Sequence, residues 1–233
     1  MTLKTDLESE VKAIFESTWE EREGRVVPDP KDLSLGNDAV KLQATVLYAD
    51  MADSTDLVDN HSHKFAAELY KAYLRCAARI IKDEKGTITA YDGDRVMAVF
   101  LGDAKNDAAV RSALKINHVV QKIINPLLKS QYPKKTYQLK HVVGIDTSEL
   151  LVARIGVRND NDLVWVGRAA NYAAKLCSLN GKHATYITGT VFNAMRKEVK
   201  YGGKDNSLMW EERVWTARNN IKIYGSTWMW TIT

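Results

Sequence analysis

Two long stretches of helical periodicity, separated by short β-branched runs, limit this chain to a sheet with helices packed against it. In residues 62–85 the side chains Phe65, Leu69, Tyr73, Cys76 and Ile80 recur at helical spacing, and the pattern stops at Gly86. Residues 104–129 repeat it, with Pro126 and Pro133 expected to break the helix at its end. Residues 42–49, 87–91, 96–101, 138–145, 150–155, 163–166 and 184–187 read as strands. Residues 168–179 read as a third helix and 190–198 as a short one. Strands before, between and after the helices imply an α+β sandwich: a mostly antiparallel central sheet flanked by helices.

Residues 5–20 read as an amphipathic helix with Leu7, Val11, Ile14 and Phe15 on one face. Pro28, Pro30, Gly36 and Asn37 mark residues 26–40 as a connector. The expected division is therefore an N-terminal helix and linker at 1–40 and one catalytic-size domain at 41–233. The tail from 210 to 232 is strand-like and holds four of the six Trp. Among 233 residues, 45% are hydrophobic, which suffices for one sizeable core. Net charge is +4 with no polybasic run, so nucleic acid is not the expected ligand. Apolar runs such as 96–101 are too short to cross a bilayer. The first ten residues are polar and acidic, without a signal-peptide core. A cytoplasmic chain is the expectation, with Cys76 and Cys177 as buried free thiols.

Three stretches could carry chemistry. In Tyr48-Ala49-Asp50-Met51-Ala52-Asp53-Ser54-Thr55 a carboxylate ends a buried strand, and small residues lead into a helix. Such a turn can present N–H groups to phosphates while the carboxylate holds a divalent cation; equally, Asp53 or Ser54 can simply cap the helix. Asp92-Gly93-Asp94 sits between two strands and reads either as a type I′ hairpin turn or as a second acidic site. If the strands bearing Asp50 and Asp94 are neighbours, their carboxylates converge at one sheet edge, and a metal ion is the usual compensation. In residues 164–176, Asn171 and Lys175 share a helical face, while Ala169, Ala170, Ala173 and Ala174 permit close approach. That third stretch reads equally as a packing face with solvated ends.

In this order and spacing the three stretches resemble the class III nucleotide cyclase catalytic domain, whose pattern is F-x-D-I-x-G-S/F-T, a G-D hairpin, then G-D-x-V-N-x-A-x-R. The likeness runs from about residue 41 to 187. It implies a ferredoxin-like fold and a homodimer with shared active sites. Position by position, Asp50 and Asp94 resemble the two metal-binding carboxylates, assisted by the Met51 carbonyl. Ala52, Ser54 and Thr55 fall in the segment that resembles the phosphate-binding turn. Asn171 resembles the asparagine that orients the ribose. Lys175 stands where the family has the arginine that stabilises the transition state, keeping the charge but losing the planar fork. In the family those last two come from the partner chain. Two Mg²⁺ or Mn²⁺ ions per site are implied, and the reaction is attack of the ribose 3′-OH on the α-phosphorus with departure of pyrophosphate.

The departures bear on the base. Purine cyclases of the family read adenine with a lysine four residues before the second metal aspartate and an aspartate seven before the asparagine. Ala90 and Val164 occupy those positions here. The glutamate and small polar residue of a guanine reader are also missing. Tyr48 replaces the usual phenylalanine, and Tyr91 and Arg95 flank the hairpin as further polar candidates. This combination resembles the pyrimidine cyclases of bacterial Pycsar anti-phage systems, which implies UTP as first substrate, CTP next, and a separate effector activated by the cyclic product. An adenylate cyclase, or a degenerate cyclase-homology module that only dimerises or binds nucleotide, are the alternatives.

Overall fold

The computed structural model describes residues 2–179 and 181–232. Elements follow in the order α1 (Leu3–Glu16), β1 (Glu20–Glu23), β2 (Asp38–Ala52), α2 (Ser54–Asn60), α3 (His63–Asp83), β3 (Thr87–Asp92), β4 (Arg95–Phe100) and α4 (Lys105–Val119). After a π-helical turn at Val120–Ile124 come α5 (Asn125–Gln131), β5 (Lys140–Val157), β6 (Asp160–Val166), α6 (Arg168–Cys177), β7 (Thr185–Thr188) and α7 (Gly189–Ala194). The chain closes with β8 (Tyr201–Gly202), β9 (Ser207–Leu208), β10 (Glu211–Trp215) and β11 (Ile221–Ser226).

The main sheet runs β10-β11-β7-β5-β2-β4-β3, with β1 added to β2 and β6 to β5. Only the β1–β2 and β5–β7 pairings among those described are parallel. The expected α+β architecture, a mostly antiparallel sheet flanked by helices with a helix in front, is what the chain forms. Alternation along β2 divides its side chains between two cores. Leu47, Ala49 and Met51 face α3 and α4, where Phe65, Leu69, Tyr73, Ala113 and Leu114 complete the larger core. Leu42, Ala44 and Val46 face the other way, packing with Met97 and Val99 of β4 and with Ala169, Ala170 and Ala173 of α6.

Four local expectations change. Pro126 does not end the second long helix: the N–H of Asn125 reaches Val120 O, five residues back, so the π turn absorbs the ring and the helix continues as α5. Residues 140–157 form one strand rather than two, because the polar residues in its middle are satisfied inside the fold. The hairpin between β3 and β4 has Gly93 at φ +60° while Asp94 keeps a negative φ, so its turn has the II′ sign pattern, not I′. Cys76 is only half-buried, whereas Cys177 is buried; both are free thiols.

No residue of α1 is buried, and Leu3, Leu7, Val11, Ile14 and Phe15 stand exposed. Its end is fastened by Asn37, whose Nδ2 donates to Ile14 O and Ser17 O at 2.9 and 2.8 Å. The helix expected to reach residue 20 ends at Glu16, and residues 20–23 form β1. Among the described residues no helix is long and apolar enough to cross a membrane.

Candidate active site

Asp50 and Asp94 meet where β2 and β4 end side by side. Antiparallel pairing sets Tyr48 opposite Met97 and Asp50 opposite Arg95, one residue after Asp94. The convergence is at the ends of adjoining strands inside the sheet; β3, not β2, is the edge. The Asp50 carboxyl is pushed up to about 6, first by burial and then by the neighbouring Asp94 charge, with Arg95 pulling the other way. Asp94 Oδ2 is buried without a hydrogen-bond partner. An unpartnered carboxylate oxygen beside a second carboxylate held partly protonated is an arrangement a divalent cation would relieve. Among the described residues no group of three or more His, Cys, Asp or Glu could hold a metal. Two carboxylates suit Mg²⁺ or Mn²⁺, which complete their shells with substrate phosphates and water.

Tyr48 and Arg95 share the face of Asp50. The Arg95 guanidinium lies 5.4 Å from the Tyr48 ring centroid and donates to Asp92 at 2.9 Å, leaving its buried Nε free. Burial raises the Tyr48 phenol above its ordinary value. Ala90 pairs with Met97 and so belongs to this same face, which carries no purine-reading lysine. Tyr91 pairs with Val96 and is turned to the opposite face, 57% exposed. It is not gathered with Tyr48 and Arg95, because an adjacent residue on a strand always points the other way. Val164 sits half-buried on β6.

Ala52 closes β2, and the turn after it passes through Asp53 at φ +59°, where the class III pattern has glycine. Asp53 makes no capping bond with its side chain, which instead lies 3.6 Å from Lys140, so the capping alternative is not realised by Asp53. Ser54 is half-buried, and Thr55 is exposed. Beside this turn a cavity of about 340 Å³ is lined by Ala52, Asp53, Lys140, His141, Lys182 and His183. Lys140 is the register partner of Ala52 and Val142, which also lines the cavity, that of Asp50; neither Asp50 nor Asp94 is among the lining residues. No motif pointed to these basic residues, since β5 and the segment before β7 reach the turn only through sheet order.

Asn171 and Lys175 stand exposed one turn apart on α6. Asn171 Nδ2 donates back to Gly167 O at 3.2 Å. Among the described residues neither side chain touches Asp50 or Asp94. The helix itself is close to them: Cys177 Sγ donates to Tyr48 O at 3.0 Å.

A half-buried pair of carboxylates at adjoining strand ends, on a sheet of this order, is the architecture of class III cyclase catalytic domains. The adenylyl cyclase CyaB from P. aeruginosa shares the fold at TM-score 0.68 and 21% identity, over 81% of this chain and 95% of that one. No protein-family profile matches the chain. A uridylate cyclase of Xanthomonas perforans is 49% identical over 100% of both chains, and one of Burkholderia cepacia is 51% identical, also over 100% of both. The chain belongs to the class III nucleotide cyclase family and is a nucleotide cyclase, with full-length relatives that carry the name uridylate cyclase.

Proposed function

We propose that the chain converts UTP to 3′,5′-cyclic UMP and pyrophosphate, as a homodimer whose two active sites are each built from both chains. The catalytic unit in this reading is 41–233. The observation that carries the chemistry is Asp50 and Asp94 together, one raised to about 6 and the other left with a buried, unpartnered oxygen. Asp50 and Asp94, with the Met51 carbonyl, would hold Mg²⁺ or Mn²⁺. Bound there, the ions would lower the pKa of the ribose 3′-OH and neutralise the triphosphate. Ala52, Ser54 and Thr55 line the approach of the phosphates. Asn171 of the partner orients the ribose, so the 3′ oxygen meets the α-phosphorus in line and the bond to the pyrophosphate oxygen breaks. Lys175, also across the interface, offsets charge that develops on the phosphoryl oxygens. The exposure of Asn171 and Lys175, with neither touching the carboxylates of its own chain, supports a site completed by a second copy.

The base is read by Tyr48 and Arg95, which share the Asp50 face, in the absence of a purine-reading pair at Ala90 and Val164. The names of the full-length relatives support uracil. Within the cell the product would act on a separate effector in anti-phage defence, with the enzyme in the cytoplasm and no nucleic acid as ligand.

The test is to incubate the purified enzyme with each nucleoside triphosphate and Mn²⁺ and identify products by mass spectrometry. Cyclic UMP is expected to dominate. A product dominated by cyclic AMP would overturn the base assignment and leave the cyclase; binding of nucleotide without any cyclic product would make the chain a degenerate homology domain.

A further inference from the structure

We propose that Asp146 and Arg168 are positioning residues that aim α6, and with it Asn171 and Lys175, at the substrate; the proposal rests on the catalytic reading of those two residues given above. Asp146 lies in the middle of β5, opposite Val46, and is 0% exposed. Its Oδ2 accepts from Arg168 Nε at 3.0 Å, and its Oδ1 accepts from Arg168 Nη2 at 3.4 Å and from the Thr188 hydroxyl. Arg168 Nη2 also donates to Thr147 O at 2.8 Å and lies 3.2 Å from Thr190 Oγ1. The next residue, Ala169, donates its N–H to Ser148 Oγ at 3.0 Å. Three consecutive residues of β5 therefore grip the first two residues of α6. Asn171 follows within the same turn and Lys175 one turn later.

Asp146 is fully buried while the Arg168 side chain is 43% exposed, and an ion pair open to water at one end is poor evidence of a stability device. What a guanidinium held through two nitrogens does supply is direction. The class III pattern has an acidic residue at the position of Arg168; in this chain the acid comes instead from β5, and the helix start carries the cation. Rotation of α6 about its own axis would sweep Asn171 and Lys175 together across the interface, while leaving Asp50 and Asp94 where they are.

The test is steady-state kinetics of Arg168→Ala, Arg168→Lys and Asp146→Asn with UTP and Mn²⁺, alongside melting temperatures. Misplacement by about 1 Å can cost on the order of a hundredfold, so Arg168→Ala should lower kcat at least tenfold, with KM for UTP within about threefold of wild type. Asp146→Asn should lower kcat in the same direction, and Arg168→Lys should fall between. Should Arg168→Ala fail to fold, Arg168→Lys alone carries the measurement through its kcat. A kcat within twofold of wild type despite a lowered melting temperature would reduce the pair to structure and overturn the proposal. So would a raised KM at unchanged kcat, or a loss in Arg168→Ala that Asp146→Asn does not share, since either makes Arg168 a substrate contact. Wild-type enzyme that cyclises no triphosphate would bring down the functional reading itself, before any variant is compared.

Discussion

Gly144 on β5 lies directly beneath the Ala173 carbonyl of α6, so close that a β-carbon at residue 144 would stand 2.1 Å from that oxygen. The same β-carbon would meet Leu176 Cβ at 2.8 Å and Cys177 N at 2.9 Å. Gly144 is the register partner of Tyr48, two residues from Asp50. The helix that carries Asn171 and Lys175 is thus seated on the strand that pairs with the one bearing Asp50, through a contact that only glycine permits.

Gly144→Ala should therefore lift α6 off the sheet. Overpacking of this kind costs on the order of 1–3 kcal/mol, and backbone atoms cannot rotate aside as a side chain can. The expected result is a lower urea midpoint together with a loss of turnover larger than the unfolded fraction explains. Wild-type values for both would mean that α6 moves freely on β5.

Removing either carboxylate should end catalysis and leave a folded chain. Without divalent ions, Asp50→Asn relieves the repulsion that raises Asp50, so its melting temperature should match or exceed that of wild type. Addition of Mn²⁺ should raise the melting temperature of wild type but not that of Asp50→Asn or Asp94→Asn. An equal Mn²⁺ response in all three proteins would place the ion elsewhere.

Acid stability should be governed by two groups of opposite sign. His141 is 4% exposed and held neutral by burial, its pKa lowered to about 4. Its contribution is complete above the unfolded value of about 6.5 and is lost as pH falls toward 4, up to about 3 kcal/mol. Asp50, raised to about 6, contributes stability at low pH that is lost as pH rises through 6. In EDTA the two offset one another between pH 4 and 6.5. Denaturant midpoints of Asp50→Asn should then fall more steeply with acid than those of wild type, and midpoints of His141→Gln less steeply. Parallel curves for the three proteins would mean that neither group titrates as its burial demands.

The strand bearing Asp50 and the hairpin bearing Asp94 are legible because β-branched runs and the Gly93 turn are local signals. What the sequence hid is non-local. The polar centre of β5 reads as an interruption only until its partners are known. Asp146 finds Arg168 and Thr188, and Thr147 finds Thr45 and the Ala44 carbonyl, which lie 22 to 103 positions away. The strand β1, Glu-Glu-Arg-Glu, has no β signature at all and forms by pairing with residues 38–41. Tyr91 flanks the turn as Arg95 does, but the two-residue turn pairs Arg95 with Asp92 and Tyr91 with Val96, so the two side chains fall on opposite faces. The Trp-rich tail gave strands only as far as Ser226; beyond them Trp228 and Trp230 pack on the larger core, with Trp230 N bonded to Leu114 O at 3.0 Å.

Base selection should respond to the Tyr48 hydroxyl. Tyr48→Phe keeps the ring under Arg95 and removes one polar atom, so metal binding should persist while discrimination between UTP and ATP weakens. A buried hydrogen bond to the base is worth roughly 1–3 kcal/mol, or about five- to a hundred-and-fifty-fold in relative kcat/KM. Unchanged ratios for UTP, CTP and ATP would take Tyr48 out of the pocket.

A site shared between chains makes a quantitative demand on mixtures of inactive variants. Asp50→Ala and Asn171→Ala homodimers should each be dead, since every site lacks one group. If the carboxylates of one chain face α6 of its partner, one site of a mixed dimer gathers both lesions and the other has neither. Random exchange makes about half of the dimers mixed, each with one good site of two, so activity should return to about a quarter of wild type. Purified heterodimers, captured through two different tags, should reach about half. The intrachain geometry underlies this expectation: Asn171 bonds its own Gly167 and Lys175 points to solvent, with neither reaching Asp50 or Asp94 among the described residues. Folded heterodimers without recovered cyclase activity would show that each chain completes its own site, and α6 would then have to shift on β5 to bring Asn171 and Lys175 to the carboxylates.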